Sequence, residues 1–110
     1  MSKHVTLRPV DAVPIENALK ALSPTWTSAI LLELASGEKR TKRILQDLPG
    51  LSAKTFTERV RLLEKLGLVR RKIFREKPPR VEYSLTKEGQ DAVRLLGSVK
   101  QATCRLNFEP

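Results

Sequence analysis

The residues best equipped for chemistry lie between Leu51 and Leu85, and they suit a polyanionic partner rather than a reaction. Residues 51–82 hold ten Lys or Arg (54, 59, 61, 65, 70, 71, 72, 75, 77, 80) against four Glu (58, 64, 76, 82). The chain of 110 residues carries a formal charge of +9, so two thirds of the excess sits in this one piece. Charge concentrated in a contiguous stretch suits phosphate groups. A solvated cationic surface is the plainer reading, and the spacing argues against it. At 100° per residue, Lys54, Thr57, Glu58, Arg61 and Lys65 share one side of a helix, opposite Phe56, Val60 and Leu63. Lysine and arginine suit phosphates or guanine edges, threonine reaches phosphate or a thymine methyl, and glutamate accepts from cytosine N4. Arg61 and Lys65 repel each other at i, i+4 unless an anion lies between them. Beyond the helix, Arg75, Lys77 and Arg80 crowd around Pro78-Pro79.

Other chemistry is poorly supplied. There is no glycine-rich phosphate loop, no G-x-S-x-G, no H-E-x-x-H and no catalytic Cys-His pair, so no enzymatic activity is expected. His4 is the only histidine, and a metal site needs several converging ligands, so neither metal nor cofactor is expected. Cys104 is the only cysteine. It excludes an intrachain disulfide and fits a reducing cytosol. With Arg105 beside it, Cys104 is the candidate redox thiol; an unremarkable terminal thiol is the alternative. No apolar run reaches the roughly 18 residues that span a bilayer. Met1-Ser2-Lys3-His4 leads into no long apolar segment, so no signal peptide is expected. The expected location is the cytoplasm, in association with the nucleoid.

The elements that must position these residues read as one α+β, mostly helical, domain. Residues 1–12 look like an N-terminal arm, residues 13–104 like the domain, and residues 105–110 like a tail. Pro14 suits the first turn of a first helix, whose Ile15, Ala18, Leu19 and Leu22 predict one buried stripe. Ser23-Pro24 predicts a second start, and the helix from Thr25 to about Ser36 is apolar on most sides, as a central helix is. Trp26 belongs to that helix as packing, with an adjoining effector pocket as the alternative. Thr41 is placed to cap a short third helix, which Pro49-Gly50 stops. Ser52 caps the fourth helix, Leu51 and Phe56 are spaced as a hydrophobic staple, and Gly67 ends it. Val69 to Phe74 and Arg80 to Leu85 read as two strands with a protruding tip. Thr86 caps a last helix whose apolar arc exceeds the needs of one small core. A helix followed by a basic hairpin is the plan of a winged helix-turn-helix with a two-stranded wing.

Several stretches resemble one family. They are Trp26-Thr27 before Ile30-Leu31-Leu32-Glu33-Leu34, then Leu48-Pro49-Gly50-Leu51-Ser52, then Leu63-Glu64-Lys65-Leu66-Gly67-Leu68-Val69. The most specific runs from Pro78-Pro79-Arg80-Val81-Glu82-Tyr83 through Ser84-Leu85-Thr86-Lys87-Glu88-Gly89. Together they are similar to the HxlR-type, MarR-related, winged helix-turn-helix regulators over roughly residues 14–99. The resemblance implies a homodimeric transcription factor joined through its first and last helices. It implies double-stranded DNA as partner, with Ser52, Lys54, Thr55, Thr57, Glu58 and Arg61 facing the duplex and Arg75, Lys77 and Arg80 on the wing. Many members carry a cysteine just before the proline of the first helix, where this chain has Val13. A basic residue usual before the tryptophan is replaced by Thr25. The family's thiol sensing therefore does not carry over to its usual position. A winged-helix module binding an acidic protein is the rival reading, and double-stranded RNA ranks lower because its major groove is too narrow for side chains. No membrane partner is expected, and the effector is not named by these residues.

Overall fold

The computed structural model describes residues 6–108, so His4 and the start of the expected arm lie outside the described residues. After a 3-10 turn at Pro9–Asp11, the chain forms α1 (Ala12–Leu22), α2 (Thr27–Leu34), β1 (Lys39–Arg40), α3 (Thr41–Asp47) and α4 (Ala53–Lys65). The wing strands β2 (Val69–Phe74) and β3 (Arg80–Leu85) follow, and α5 (Lys87–Thr103) closes the fold.

Local chemistry explains the elements that hold the charged segment. The Ser52 hydroxyl accepts from the Thr55 amide at 3.0 Å, satisfying a donor that the first turn of α4 would otherwise leave open. Leu51 and Phe56 flank that cap and are both buried, so the staple fixes the entry of the chain. Phe56, Val60 and Leu63 put the inner face of α4 against Ile30, Leu31 and Leu34 of α2. Each such side chain contributes about 1.5–3 kcal/mol on leaving water. Gly67, at φ 78°, ends α4 in the left-handed region that a side chain disfavours. The sheet is antiparallel in the order β1-β3-β2. Its register pairs Arg71 with Tyr83 and Lys72 with Glu82. Tyr83 faces the core and meets Phe56 edge to face, with ring centroids 5.4 Å apart. Among the described residues, no helix is long and apolar enough to cross a membrane.

Several expectations are corrected. The wing is two-stranded, but the sheet has a third strand, because Lys39 and Arg40 pair with Tyr83 and Glu82. Two residues are too short for a period-2 signal. That pairing also holds Arg40 extended as the residue before α3, so Thr41 is the first residue of the helix and not its cap. Ser23 ends α1, and its hydroxyl donates to the Lys20 carbonyl at 3.2 Å instead of capping α2. The chain enters α2 through Trp26 in the left-handed region at φ 78°, so Trp26 precedes the helix rather than lying within it. Its indole packs over Gly50 and against the core. The first helix starts at Ala12, two residues before Pro14, because proline is tolerated throughout the first turn. The stripe on α1 is not buried within the chain: Ile15 is 43% and Leu19 56% exposed, and only its far end at Leu22 packs on the core. Leu32 of the central helix is also exposed.

Candidate nucleic-acid interface

The four carboxylates of residues 51–82 all have cationic partners within the protein. Glu58 lies 3.8 Å from Arg59, Glu64 lies 3.5 Å from Arg71, and Arg80 reaches Glu76 at 3.1 Å and Glu82 at 3.4 Å. Within the segment three arginines thus answer four glutamates, and Arg40 from outside it also lies 3.8 Å from Glu82. Lys54, Arg61, Lys65, Arg70, Lys72, Arg75 and Lys77 form no ion pair within 4 Å among the described residues. Lys72 has only the Phe74 ring, 4.9 Å away. The fold therefore separates structural cations from seven that remain available to an outside anion.

Placement of these groups follows from the elements. Lys54, Glu58, Arg61 and Lys65 are exposed on the side of α4 opposite its buried face. Thr57 shares that side, half-buried, and its hydroxyl donates to the Ala53 carbonyl at 2.8 Å. Ser52 and Thr55 are turned to the helix end: the Ser52 hydroxyl donates to the Thr55 hydroxyl oxygen at 3.0 Å. Arg70 and Lys72 project from the face of β2 that also carries Phe74, away from the core-facing Val69. Arg75 and Lys77 are exposed at the tip. Arg80 differs from the other two wing candidates. Its guanidinium lies 4.0 Å from the Phe74 ring centroid and bridges Glu76 and Glu82, so it braces the wing from within.

Three further cations bear on this surface and lie outside the expected set. Arg59 looks like one more exposed cation, yet its Nε donates to the Thr25 carbonyl at 2.8 Å and ties α4 to the link before α2. Arg40 and Lys42 stand beside the wing tip, brought there by the unforeseen strand β1. Their only signal was the basic run Lys39-Arg40-Thr41-Lys42-Arg43, which lies outside the segment that drew attention. Behind the interface, burial raises the Tyr83 phenol above its ordinary value, which keeps it a neutral hydrogen-bonding group. Cys104 sits at the end of α5, exposed, with its Sγ 3.8 Å from the Lys100 carbonyl. Among the described residues, no three His, Cys, Asp or Glu converge as metal ligands do.

Comparison with known proteins agrees with this geometry. An uncharacterised HTH-type transcriptional regulator of Synechocystis sp. is 41% identical over 103 residues, covering 86% of this chain and 76% of the relative. The solved structure of the reduced transcriptional regulator YodB of Bacillus subtilis is 31% identical, with a TM-score of 0.75, over 96% of this chain and 98% of that one. The redox regulator HypR in its oxidised form superimposes with a TM-score of 0.75 at 26% identity, over 87% of this chain and 99% of that one. Residues 21–105 match the sequence profile of the HxlR-like helix-turn-helix, and the chain belongs to that family.

Proposed function

We propose that this protein is a sequence-specific DNA-binding transcriptional regulator that acts as a homodimer on a pseudo-palindromic operator. The observation that carries this is the set of seven cations left unpaired on α4 and the wing while every carboxylate of the segment is answered internally. In the major groove, Lys54, Thr57, Glu58 and Arg61 read base edges, while Ser52 and Thr55 hold the start of the helix. Arg75 and Lys77 contact the backbone, and Arg80 keeps the wing in shape for them. Dimerisation through α1 and α5 covers the exposed Ile15, Leu19, Leu95 and Val99. Two recognition helices then stand about 34 Å apart, one turn of DNA. Control runs through Cys104: oxidation by a peroxide joins the two thiols of a dimer as a disulfide, and the peroxide oxygens leave as water. A family relative described as a redox regulator and the exposure of the thiol support this part.

Fluorescence anisotropy on the protein's own upstream DNA tests the reading. Arg61→Ala is expected to weaken operator binding by about 1–3 kcal/mol and relax base preference at one position. An unchanged binding curve removes Arg61 from the reading set. Peroxide is expected to shift binding of the native protein and leave Cys104→Ser unaffected; equal behaviour of the two discards the thiol switch.

A further inference from the structure

Between the wing tip and the start of α3 lies an open cleft of about 420 Å³. Arg40, Thr41 and Lys42 form one wall, and the stretch from Glu76 to Val81 forms the other. The walls face each other because β1 pairs with β3, setting Arg40 opposite Glu82 and leading directly into α3. Charge in the cleft is lopsided. Its one lining carboxylate, Glu76, is held by Arg80 at 3.1 Å, and Glu82 beside it lies 3.4 Å from Arg80 and 3.8 Å from Arg40. Lys42 on one wall and Lys77 on the other form no ion pair within 4 Å among the described residues. Arg40 keeps a side chain 58% exposed. An anion in the cleft would find an unpaired lysine on each wall, and its charge would offset that of both.

We propose that this cleft clamps one backbone phosphate of duplex DNA between Lys42 of α3 and Lys77 of the wing tip, with Arg40 beside them. The proposal rests on the DNA-binding reading and extends it to residues outside α4 and the wing. Continuity favours DNA as the source of the phosphate: the cleft shares Lys77 with the row of unpaired cations on the wing. A phosphate gripped here fixes how far the wing can swing about the duplex and thereby the register of α4 in the groove. Arg80 is a positioning residue in this arrangement. It draws Glu76 and Glu82 onto itself and keeps two carboxylates from opposing the phosphate.

Anisotropy titrations on one operator duplex from 50 to 200 mM salt decide the matter, using the native chain, Lys42→Ala, Lys77→Ala, the double variant and Lys42→Arg. Loss of a phosphate contact flattens the log–log salt slope by about 0.9, so the fall in affinity across that range shrinks by roughly 3.5-fold. Lys42→Ala and Lys77→Ala are each expected to flatten the slope, with the double variant falling short of the combined single effects because both cations meet at one phosphate. Lys42→Arg is expected to restore the native slope. A native slope in Lys42→Ala, alongside a changed one in Lys77→Ala, overturns the clamp while leaving a wing contact. Strict additivity also overturns it, since it assigns the two lysines to separate phosphates. Absence of duplex binding by the native chain removes the DNA reading itself, and the clamp with it.

Discussion

At Gly89, a single missing side chain lets two elements touch. A Cβ there would collide with the carbonyl oxygen of Leu68 and stand 3.0 Å from its carbon. The same carbonyl accepts the Thr86 amide at 3.0 Å, and the Thr86 hydroxyl donates to Gly67 at 2.6 Å while accepting from the Gly89 amide at 3.0 Å. Thr86 and Gly89 thus bolt the first turn of α5 to the turn after α4. Their spacing is part of the stretch that marks the resemblance, and the structure supplies its physical reason. Gly89→Ala is expected to destabilise the fold by about 3 kcal/mol, because backbone and not a flexible side chain must move. Thermal melting checks this, and a Tm within a few degrees of the native protein would show that the contact yields easily.

Between elements, a network of charges ties α2, β1 and α3 together behind the interface. Lys39 of β1 lies 2.6 Å from Glu33 of α2 and 3.4 Å from Asp47 of α3, and Arg43 reaches Asp47 at 2.9 Å. Hydrogen bonding with Glu33, then with Arg43, lowers the Asp47 carboxyl from 3.8 to about 2, while the Glu33 contact raises the Lys39 ammonium. A carboxyl held lower in the folded chain than in the unfolded one stabilises the fold above the unfolded value. That stability is lost as pH falls through the folded value. Asp47→Asn is therefore expected to lower stability at neutral pH and to converge with the native protein between about pH 4 and pH 2. Urea unfolding across that range measures the difference, and a gap independent of pH would assign it to packing alone. The network also ties α3 to β1, the strand whose pairing with β3 sets it beside the wing.

The whole molecule is longer than its size requires. Its radius of gyration is 16.0 Å, against about 13 Å for a compact chain of this length. Its extents are 54 × 28 × 27 Å. Its terminal helices leave apolar surface uncovered: α1 has no buried residue, and Leu95 and Val99 of α5 are 43% and 44% exposed. A groove of about 250 Å³ between α1, the turn after α4 and α5 is lined only by apolar residues, Ala18, Leu22 and Leu95 among them. Surface of this kind suits association with a second copy. Leu19→Asp is expected to yield monomers in sedimentation at micromolar concentration and to weaken binding to a two-half-site operator far more than to a single half-site. Unchanged sedimentation would move the subunit interface away from α1.

Much of this protein was determined by local chemistry that a sequence displays. Both wing strands, the caps at Ser52 and Thr86, the stop at Gly67 and the inner face of α4 follow from propensity, period and single hydrogen bonds between neighbours. The basic character of residues 51–82 was equally plain, because charge needs no fold to be counted. Pairing across long sequence separations was not. Which arginines turn inward to Thr25, Glu64 and Glu76, that Lys39 and Arg40 make a third strand, and that Lys42 stands across a cleft from Lys77 were decided by tertiary structure alone. Trp26 shows the same limit: its apolar character marked it for the core, whereas its place before α2, with a left-handed backbone, was visible only in the structure. Likewise the stripe on α1 is a true apolar period that its own chain's core leaves largely uncovered. Periodicity tells which side of a helix avoids water, whereas the identity of what covers that side depends on contacts that only the folded molecule brings together.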